Sequence, residues 1–228
     1  MARRQPDRTT VARIKAAVFV ACLMPFGLLI WRAFMGGLTA NPIEFITHSL
    51  GWWALTFVLI TLAVTPLRRL LDMAWLLRLR RMLGLYAFFY AMLHFLTWLV
   101  VDQFFDWQAI VKDIVKRPYI TVGFTAIVFL VPLAVTSTNA MVRRLGAERW
   151  QMLHRLVYVI ATLSVVHFWW LVKRDITEPA VFAIVLAVLL GARVVYAWHK
   201  RGVTANANNT NTSTNTNKAD ANAQPGEA

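Results

Sequence analysis

Three histidines, His94, His154 and His167, lie inside strongly apolar stretches of the chain. An imidazole ring is polar and titratable, so placing it at such depth is costly unless it binds something or hydrogen-bonds to a neighbouring helix. The apolar stretches around these rings contain no acidic residue to pair with them. Because neutral imidazole is also a good ligand for iron, the pattern favours a metal or cofactor site.

The other two histidines lie at the ends of apolar segments. His48 opens the second apolar segment, where a partly solvated interfacial ring and a functional ring are both open interpretations. His199 follows the last segment beside Lys200 and Arg201, and we interpret it as an interfacial charge.

Six apolar segments carry these residues, at about 11–34, 48–66, 83–101, 119–136, 150–171 and 179–198. Each has 18 or more residues, enough for a helix to cross a hydrocarbon core about 30 Å thick. None shows the alternation of a barrel strand. Only 15% of the residues are charged and 58% are hydrophobic, whereas a soluble domain has about 25% charged residues. The sequence therefore predicts an all-α polytopic membrane protein with six transmembrane helices.

Basic residues divide unevenly between the loops on the two sides. One side is basic and almost free of acids, at residues 1–15, 68–81, 143–149 and 200–201. The opposite side mixes acidic and basic residues, at 35–47, 102–118 and 172–178. Since cytoplasmic loops are enriched in Lys and Arg, both termini are predicted to be cytoplasmic, in a bacterial inner membrane. The net charge of +13 then reflects topology and anionic lipid, without nucleic acid.

The segments outside the membrane domain are short. Residues 1–10 form a basic arm, residues 11–200 the membrane domain, and residues 201–228 an Asn- and Thr-rich tail predicted to be disordered. The single cysteine, Cys22, is interpreted as a packing residue of the first helix. One cysteine excludes an intrachain disulfide, a Cys-ligated iron–sulfur cluster and a covalent Cys-x-x-Cys-His haem site, so a metal here must use histidine.

Two of the buried histidines share one segment. His154 and His167 are 13 residues apart, which is about 20 Å along a helix axis. That distance suits two haems stacked near opposite faces of a bilayer and is too long for two ligands of one metal. The rings also differ by roughly 140° around an ideal helix, so a straight helix does not present both on one stripe.

The chain resembles the MsrQ (YedZ) family of haem-binding membrane subunits, within the ferric reductase-like transmembrane superfamily. The matching stretches fall within residues 10–200 and include HSLGWWAL, RRMLGLYAFFYAMLHFLTW, RPYITVGF and TSTNAMVRRLGAERWQMLHRLVYVIATLSVVHFWW. The wider superfamily carries histidines paired roughly four helical turns apart on two helices, which make two bis-histidine haems. This chain departs from that pattern, because the third segment carries only His94 and has Arg80 14 residues earlier.

The depths of the histidines indicate which ring His94 faces. His94 lies 8 residues before Asp102, and His167 lies 6 residues before Lys173. The two rings therefore differ in depth by about 3 Å, whereas His94 and His154 differ by about 16 Å. We predict that His94 and His167 are the axial pair of a b-type haem in the outer half. His154, near the inner face, is either a ligand of a second haem or a polar residue of a quinone or flavin region.

The resemblance implies electron transfer. Members of the family pass electrons from the respiratory quinone pool through haem to a periplasmic molybdopterin-containing subunit, MsrP, which reduces methionine sulfoxide in envelope proteins. FMN is implied as a further cofactor, and no residue pattern locates its site. The outer loops are too small to form a catalytic domain, so sulfoxide reduction is expected on the partner, in a heterodimer.

Two other classes of protein remain open. A free-standing ferric or cytochrome b561-like reductase would keep the haem and act on small molecules at the outer face, without a neighbouring molybdopterin oxidoreductase gene. A transporter or assembly scaffold would bind no haem, and the purified protein would be colourless.

Overall fold

The computed structural model describes residues 6–172 and 174–222, with side chains as far as His199. The helices of this described part are α1 (Arg8–Phe34), α2 (Pro42–Leu71), α3 (Leu77–Leu96), α4 (Trp107–Lys116), α5 (Pro118–Val135), α6 (Asn139–Leu145), α7 (Ala147–His154), α8 (Leu156–Leu171) and α9 (Thr177–Asn222). Among the described residues, six helical stretches are long and apolar enough to span a membrane. The predicted all-α, six-helix membrane fold is confirmed.

Polar caps set the ends of the spans, so the helices extend beyond the apolar segments. The second segment is predicted at 48–66, and α2 covers Pro42–Leu71. Asn41 caps this helix, since its side chain accepts from the backbone N–H of Glu44 and Pro42 takes the first helical position, where its missing N–H costs nothing. The helix ends at Asp72, which has a left-handed φ of 52°.

The third span ends in an irregular turn. A 3₁₀ turn (Ala74–Leu76) precedes α3, and a π-helical turn (Thr97–Asp102) follows it directly. Phe104 and Phe105 then adopt positive φ values of 47° and 59°, which non-glycine residues rarely do. This reversal leads to α4, a short helix within the mixed-charge loop at 102–118 that hydropathy does not reveal.

The fifth span is broken at Arg155, where α7 ends and α8 begins. The N–H of Arg155 bonds to the carbonyl of Met152 at 3.1 Å, and the N–H of Tyr158 bonds to the carbonyl of Arg155 at 3.0 Å. Both bonds reach back three residues instead of four, so the turn is tightened as in a 3₁₀ helix. The break lies between His154 and His167, the rings that a straight helix would misalign.

Two helix pairs form the interior, because α2 packs most extensively against α3 and α5 against α8. Between α2 and α3, Phe57 stacks on Tyr90 with ring centres 5.2 Å apart. Between α5 and α8, Leu130, Leu133 and Ile160 form a buried cluster. The pairs also contact each other, α3 with α5 and α2 with α8.

The first helix buries few residues, Val11 and Cys22 among those described. It is attached to α3 at Pro25, where the hydroxyl of Tyr90 donates to the carbonyl of Cys22 at 2.8 Å and accepts from the N–H of Phe26 at 3.2 Å. A proline inside a helix opens its hydrogen-bond ladder. The Tyr90 hydroxyl therefore satisfies backbone groups for which the hydrocarbon core offers no partner.

The chain divides into two units by its internal contacts, Met1–Leu186 and Ala187–Ala228. In the second unit the backbone of α9 continues as helix to Asn222, which differs from the disorder predicted for residues 201–228. Asn and Thr are poor helix formers, and a polar helix without packing has little stability of its own. Disorder of this tail in solution stays a prediction. Residues 1–5 of the basic arm and residues 223–228 of the tail lie outside the described residues.

Candidate functional site

A cavity of about 930 Å³ lies between the two helix pairs, at the end that carries the mixed-charge loops. Its walls come mainly from α2, α3, α5 and α8 and are largely apolar, and His94 and His167 both line it. Polar residues surround its outer part: Asn41, Glu44, His48, Asp102, Arg117 and Glu178. A largely apolar cavity of this size with a few polar groups is typical of cofactor sites.

His94 of α3 and His167 of α8 lie next to each other in the lining of this cavity, with ring centres 6.1 Å apart and ring planes inclined by 76°. The Nδ1 atom of His94 lies 2.8 Å from the carbonyl oxygen of Thr47 on α2. The Nδ1 atom of His167 lies 2.7 Å from the carbonyl oxygen of Tyr119 on α5. A carbonyl can only accept, so Nδ1 carries the proton and donates in each ring, which leaves a lone pair on Nε2 of the neutral imidazole.

The structure brings together the two rings that the depth count selects. His94 and His167 line one cavity, and His154 is not among the residues that line it. The proximity of the rings is a property of the fold, and their ligation of iron stays a prediction. Among the described residues no cluster of three or more His, Cys, Asp or Glu side chains suits a bare metal ion.

His154 is held in a different environment, at the junction of α7 with the end of α5. Its ring stacks on Trp150 with ring centres 3.9 Å apart, and its Nε2 lies 3.1 Å from Oγ1 of Thr136. The Thr136 hydroxyl lies 2.6 Å from the carbonyl of Pro132 and donates its one proton there, so the His154 Nε2–H is the donor to Thr136. In this arrangement Nδ1 is the ring nitrogen of His154 that has a lone pair. The role of His154 as a ligand of a second haem stays a prediction.

The indole of Trp150 completes this junction, because its Nε1–H donates to the carbonyl of Thr136 at 2.9 Å. Thr136 thus accepts from two side chains of α7, one through its carbonyl and one through its hydroxyl.

The other two histidines are exposed. His48 lies on α2 at the outer part of the cavity, and its role stays open. His199 lies on α9 in the second unit, and its interpretation as an interfacial charge stays a prediction.

A fixed positive charge lies at the outer part of the cavity. Arg117 is 54% exposed, and its Nε lies 3.2 Å from Oδ1 of Asp113. Its Nη1 donates to the hydroxyl of Tyr119 at 3.4 Å. The hydrogen bond with Tyr119 and the nearby carboxylate of Asp113 raise the pKa of Arg117. The guanidinium therefore presents a permanent charge to any anionic group at this end.

Thr47 and Tyr119 are site residues that sequence patterns do not reveal. Both act on a histidine through the main-chain carbonyl, which every residue type possesses. Which carbonyl bonds to a histidine depends on how the neighbouring helix is placed beside the ring.

Comparison with known proteins identifies the family. The profile of the ferric reductase like transmembrane component matches residues 50–165. A relative named protein-methionine-sulfoxide reductase heme-binding subunit MsrQ, from Herminiimonas arsenicoxydans, is 57% identical over 86% of this chain and 91% of its own length. Proteins of the same name from Ralstonia nicotianae and Rhodospirillum rubrum are each 56% identical, over 81% and 86% of this chain and 86% and 93% of their own lengths. The chain belongs to the MsrQ family. The six apolar helices within the described residues indicate a multi-pass membrane protein of that family, and the resemblance noted in the sequence is confirmed.

Proposed function

We propose that the chain is the haem-carrying membrane subunit of a protein-methionine-sulfoxide reductase system, with a b-type haem held by His94 and His167. The observation that carries the proposal is the closeness of these rings within one cavity, with centres 6.1 Å apart. If both rings bound one iron, each through a metal–nitrogen bond of about 2 Å, their centres would lie roughly 6 Å apart, because each ring centre is about 1 Å behind its nitrogen. The relatives' name, heme-binding subunit, supports the same conclusion.

The residues around the cavity fit a haem in their chemistry. Both rings keep an Nε2 lone pair, because Nδ1 of each is occupied by a carbonyl. The cavity walls are apolar, as a porphyrin face requires, and Arg117 at the outer part suits a carboxylate such as a propionate. When bound, a bis-histidine haem supplies a one-electron carrier without an open coordination position for oxygen or substrate.

The protein contributes the orientation of the two rings and apolar surroundings. The carbonyls of Thr47 and Tyr119 hold the two rings in one tautomer, and hydrogen-bonded imidazoles are more basic ligands. Ile160 of α8, which is 1% exposed, and Leu130 of α5 contribute apolar surface to the cavity wall. An environment of low polarity around the ligands tunes the potential of an electron-transfer site.

The direction of electron flow is proposed from the family relationship. Electrons enter from the quinone pool, with FMN as an additional cofactor, and leave toward a periplasmic molybdopterin-containing subunit in a heterodimer. The position of the cavity supports this direction, because it lies at the end with the mixed-charge loops. Those loops, at 35–47, 102–118 and 172–178, are the proposed docking surface for the partner, and Lys173 within them lies outside the described residues.

The ligand assignment is tested by spectroscopy of purified variants. His94→Ala and His167→Ala should each abolish the same low-spin haem signal in reduced-minus-oxidised and electron paramagnetic resonance (EPR) spectra, because each removes one ligand of a single site. His154→Ala should keep that signal, and His199→Ala serves as the exposed control. If His94→Ala and His154→Ala remove one common signal while His167→Ala is silent, the assignment is wrong.

The partner is tested by rapid mixing. The reduced protein should be reoxidised by an oxidised molybdopterin subunit much faster than by ferric chelates. Charge changes at Asp102, Asp106 or Arg174 should alter this rate in a salt-dependent way, as in an electrostatically guided encounter. Equal rates with the subunit and with ferric chelates would indicate a free-standing ferric reductase.

A further inference from the structure

Two glycines lie directly against the facing histidine rings. A Cβ atom added at Gly51 of α2 would lie 3.0 Å from Nδ1 of His94. A Cβ atom added at Gly123 of α5 would lie 2.7 Å from Nδ1 of His167. Non-bonded heavy atoms are most stable at about 3.5–4.0 Å, so both contacts would be repulsive. A side chain at Gly123 would force the site around His167 to shift, and one at Gly51 would require the His94 ring to move by a few tenths of an ångström.

The two glycines have the same place in the helix relative to the carbonyl that binds the histidine. Gly51 follows Thr47 by four residues, and Gly123 follows Tyr119 by four residues. In an α-helix the Cα–Cβ bond tilts toward the N-terminus, so a side chain covers the turn that precedes it. The side chain of residue i+4 therefore covers the carbonyl of residue i. Glycine leaves that carbonyl open to a second donor from a neighbouring helix.

We propose that Gly51 and Gly123 are positioning residues that expose the carbonyls of Thr47 and Tyr119 to the histidines. Each set of carbonyl, glycine and histidine forms what we call a carbonyl clamp: Thr47–Gly51–His94 and Tyr119–Gly123–His167. One clamp joins α2 to α3, and the other joins α5 to α8. The same device thus occurs once in each of the two helix pairs. Its effect on iron rests on the proposed haem site, whereas the clamp itself concerns protein atoms only.

The clamp would matter for a bound haem through the ligand nitrogen. A hydrogen bond from Nδ1 to a carbonyl fixes the tautomer and makes Nε2 a stronger donor to the metal, and losing such a partner weakens metal binding by roughly tenfold or more. A stronger donor favours the ferric state, so a loosened clamp should move the haem midpoint potential to more positive values.

The first test compares Gly51→Ala and Gly123→Ala with a matched control, Gly84→Ala. Gly84 also lies inside a membrane helix, and a Cβ there would meet Cγ2 of Thr61 at an ordinary 3.7 Å. The two clamp variants should show shifted EPR g values, a more positive midpoint potential and roughly tenfold weaker haem retention. Gly123→Ala should have the larger effect, because its contact is shorter. Wild-type spectra and potentials in both clamp variants would overturn the proposal.

The second test uses the haem-free protein and remains decisive if a clamp variant folds poorly. Gly51→Ala should lower the melting temperature in the wild-type background and lose most of that effect in the His94→Ala background, where the opposing ring is gone. In the His167→Ala background the effect of Gly51→Ala should remain in full. Equal destabilisation by Gly51→Ala with and without His94 would show that the glycine is needed for another reason.

The proposed haem function and the proposed carbonyl clamps can be refuted separately. If the wild-type protein binds no haem, the proposed function fails, and the double-mutant cycle still decides whether the clamps exist. If His94→Ala and His167→Ala abolish the haem signal but the glycine variants match Gly84→Ala in both tests, the function stands and the clamps are refuted.

Discussion

Replacing Tyr90 with Phe should loosen the first helix from the rest of the bundle. The Tyr90 side chain is 0% exposed, and its hydroxyl bridges the Cys22 carbonyl and the Phe26 N–H beside Pro25. A hydrogen bond contributes about 0.5–1.5 kcal/mol net in water, and about 0.6 kcal/mol on average inside a membrane bundle. The variant loses two hydrogen bonds beside a proline that keeps the helix from pairing these backbone groups with each other. The free energy needed to separate α1 from α3 should therefore fall by about 1–2 kcal/mol.

The single cysteine reports this loosening directly. Cys22 is 6% exposed and lies at the carbonyl that Tyr90 binds, so its thiol reacts only when α1 separates from α3. If separation is fast and reversible, the alkylation rate follows the population of the open state. A cost of 1–2 kcal/mol then raises the rate of maleimide labelling of the solubilised protein by roughly 5- to 30-fold.

Tyr86→Phe is the matched control on the same helix. The Tyr86 hydroxyl makes one bond to α1, to the carbonyl of Phe19 at 2.9 Å, so the variant should increase labelling by a smaller factor. The reasoning is refuted if Tyr90→Phe labels at the wild-type rate, or if Tyr86→Phe has the larger effect.

Three further predictions concern other parts of the molecule. Thr136→Val removes the acceptor of the His154 Nε2–H and should lower the melting temperature. The low-spin signal assigned to His94 and His167 should stay unchanged, and its loss would contradict the separation of the His154 environment from the cavity. Alkaline phosphatase fused after Val203 should be inactive, because the distribution of Lys and Arg predicts that both termini are cytoplasmic, and strong activity would reverse the predicted topology. The hydroxyl of Thr9 lowers the pKa of Asp7 below its usual 3.8. The ionised carboxylate therefore stabilises the start of α1 fully above pH 3.8, and this stabilisation is lost as the pH falls through the lowered pKa. Amide exchange in the first turn should then rise, and Asp7→Ala should remove this pH dependence.

Sequence alone determined the properties that depend on position along one helix. The six spans followed from length and hydropathy, and the structure contains them with ends moved by caps such as Asn41 and by the turn at Phe104 and Phe105. The meeting of His94 and His167 followed from counting residues to the outer charges, because rise per residue is constant and each helix is anchored at the membrane surface.

The tertiary structure decided everything that depends on rotation and on lateral neighbours. Periodicity did not show that α2 packs on α3 and α5 on α8, since these helices are apolar on most of their faces and no stripe marks the partner. The carbonyls of Thr47 and Tyr119, the bridging hydroxyl of Tyr90 and the contact of His154 with Thr136 all join residues of different helices. Three of these contacts use the main chain, which is chemically the same at almost every position. Their partners therefore become known only when the helices are placed side by side.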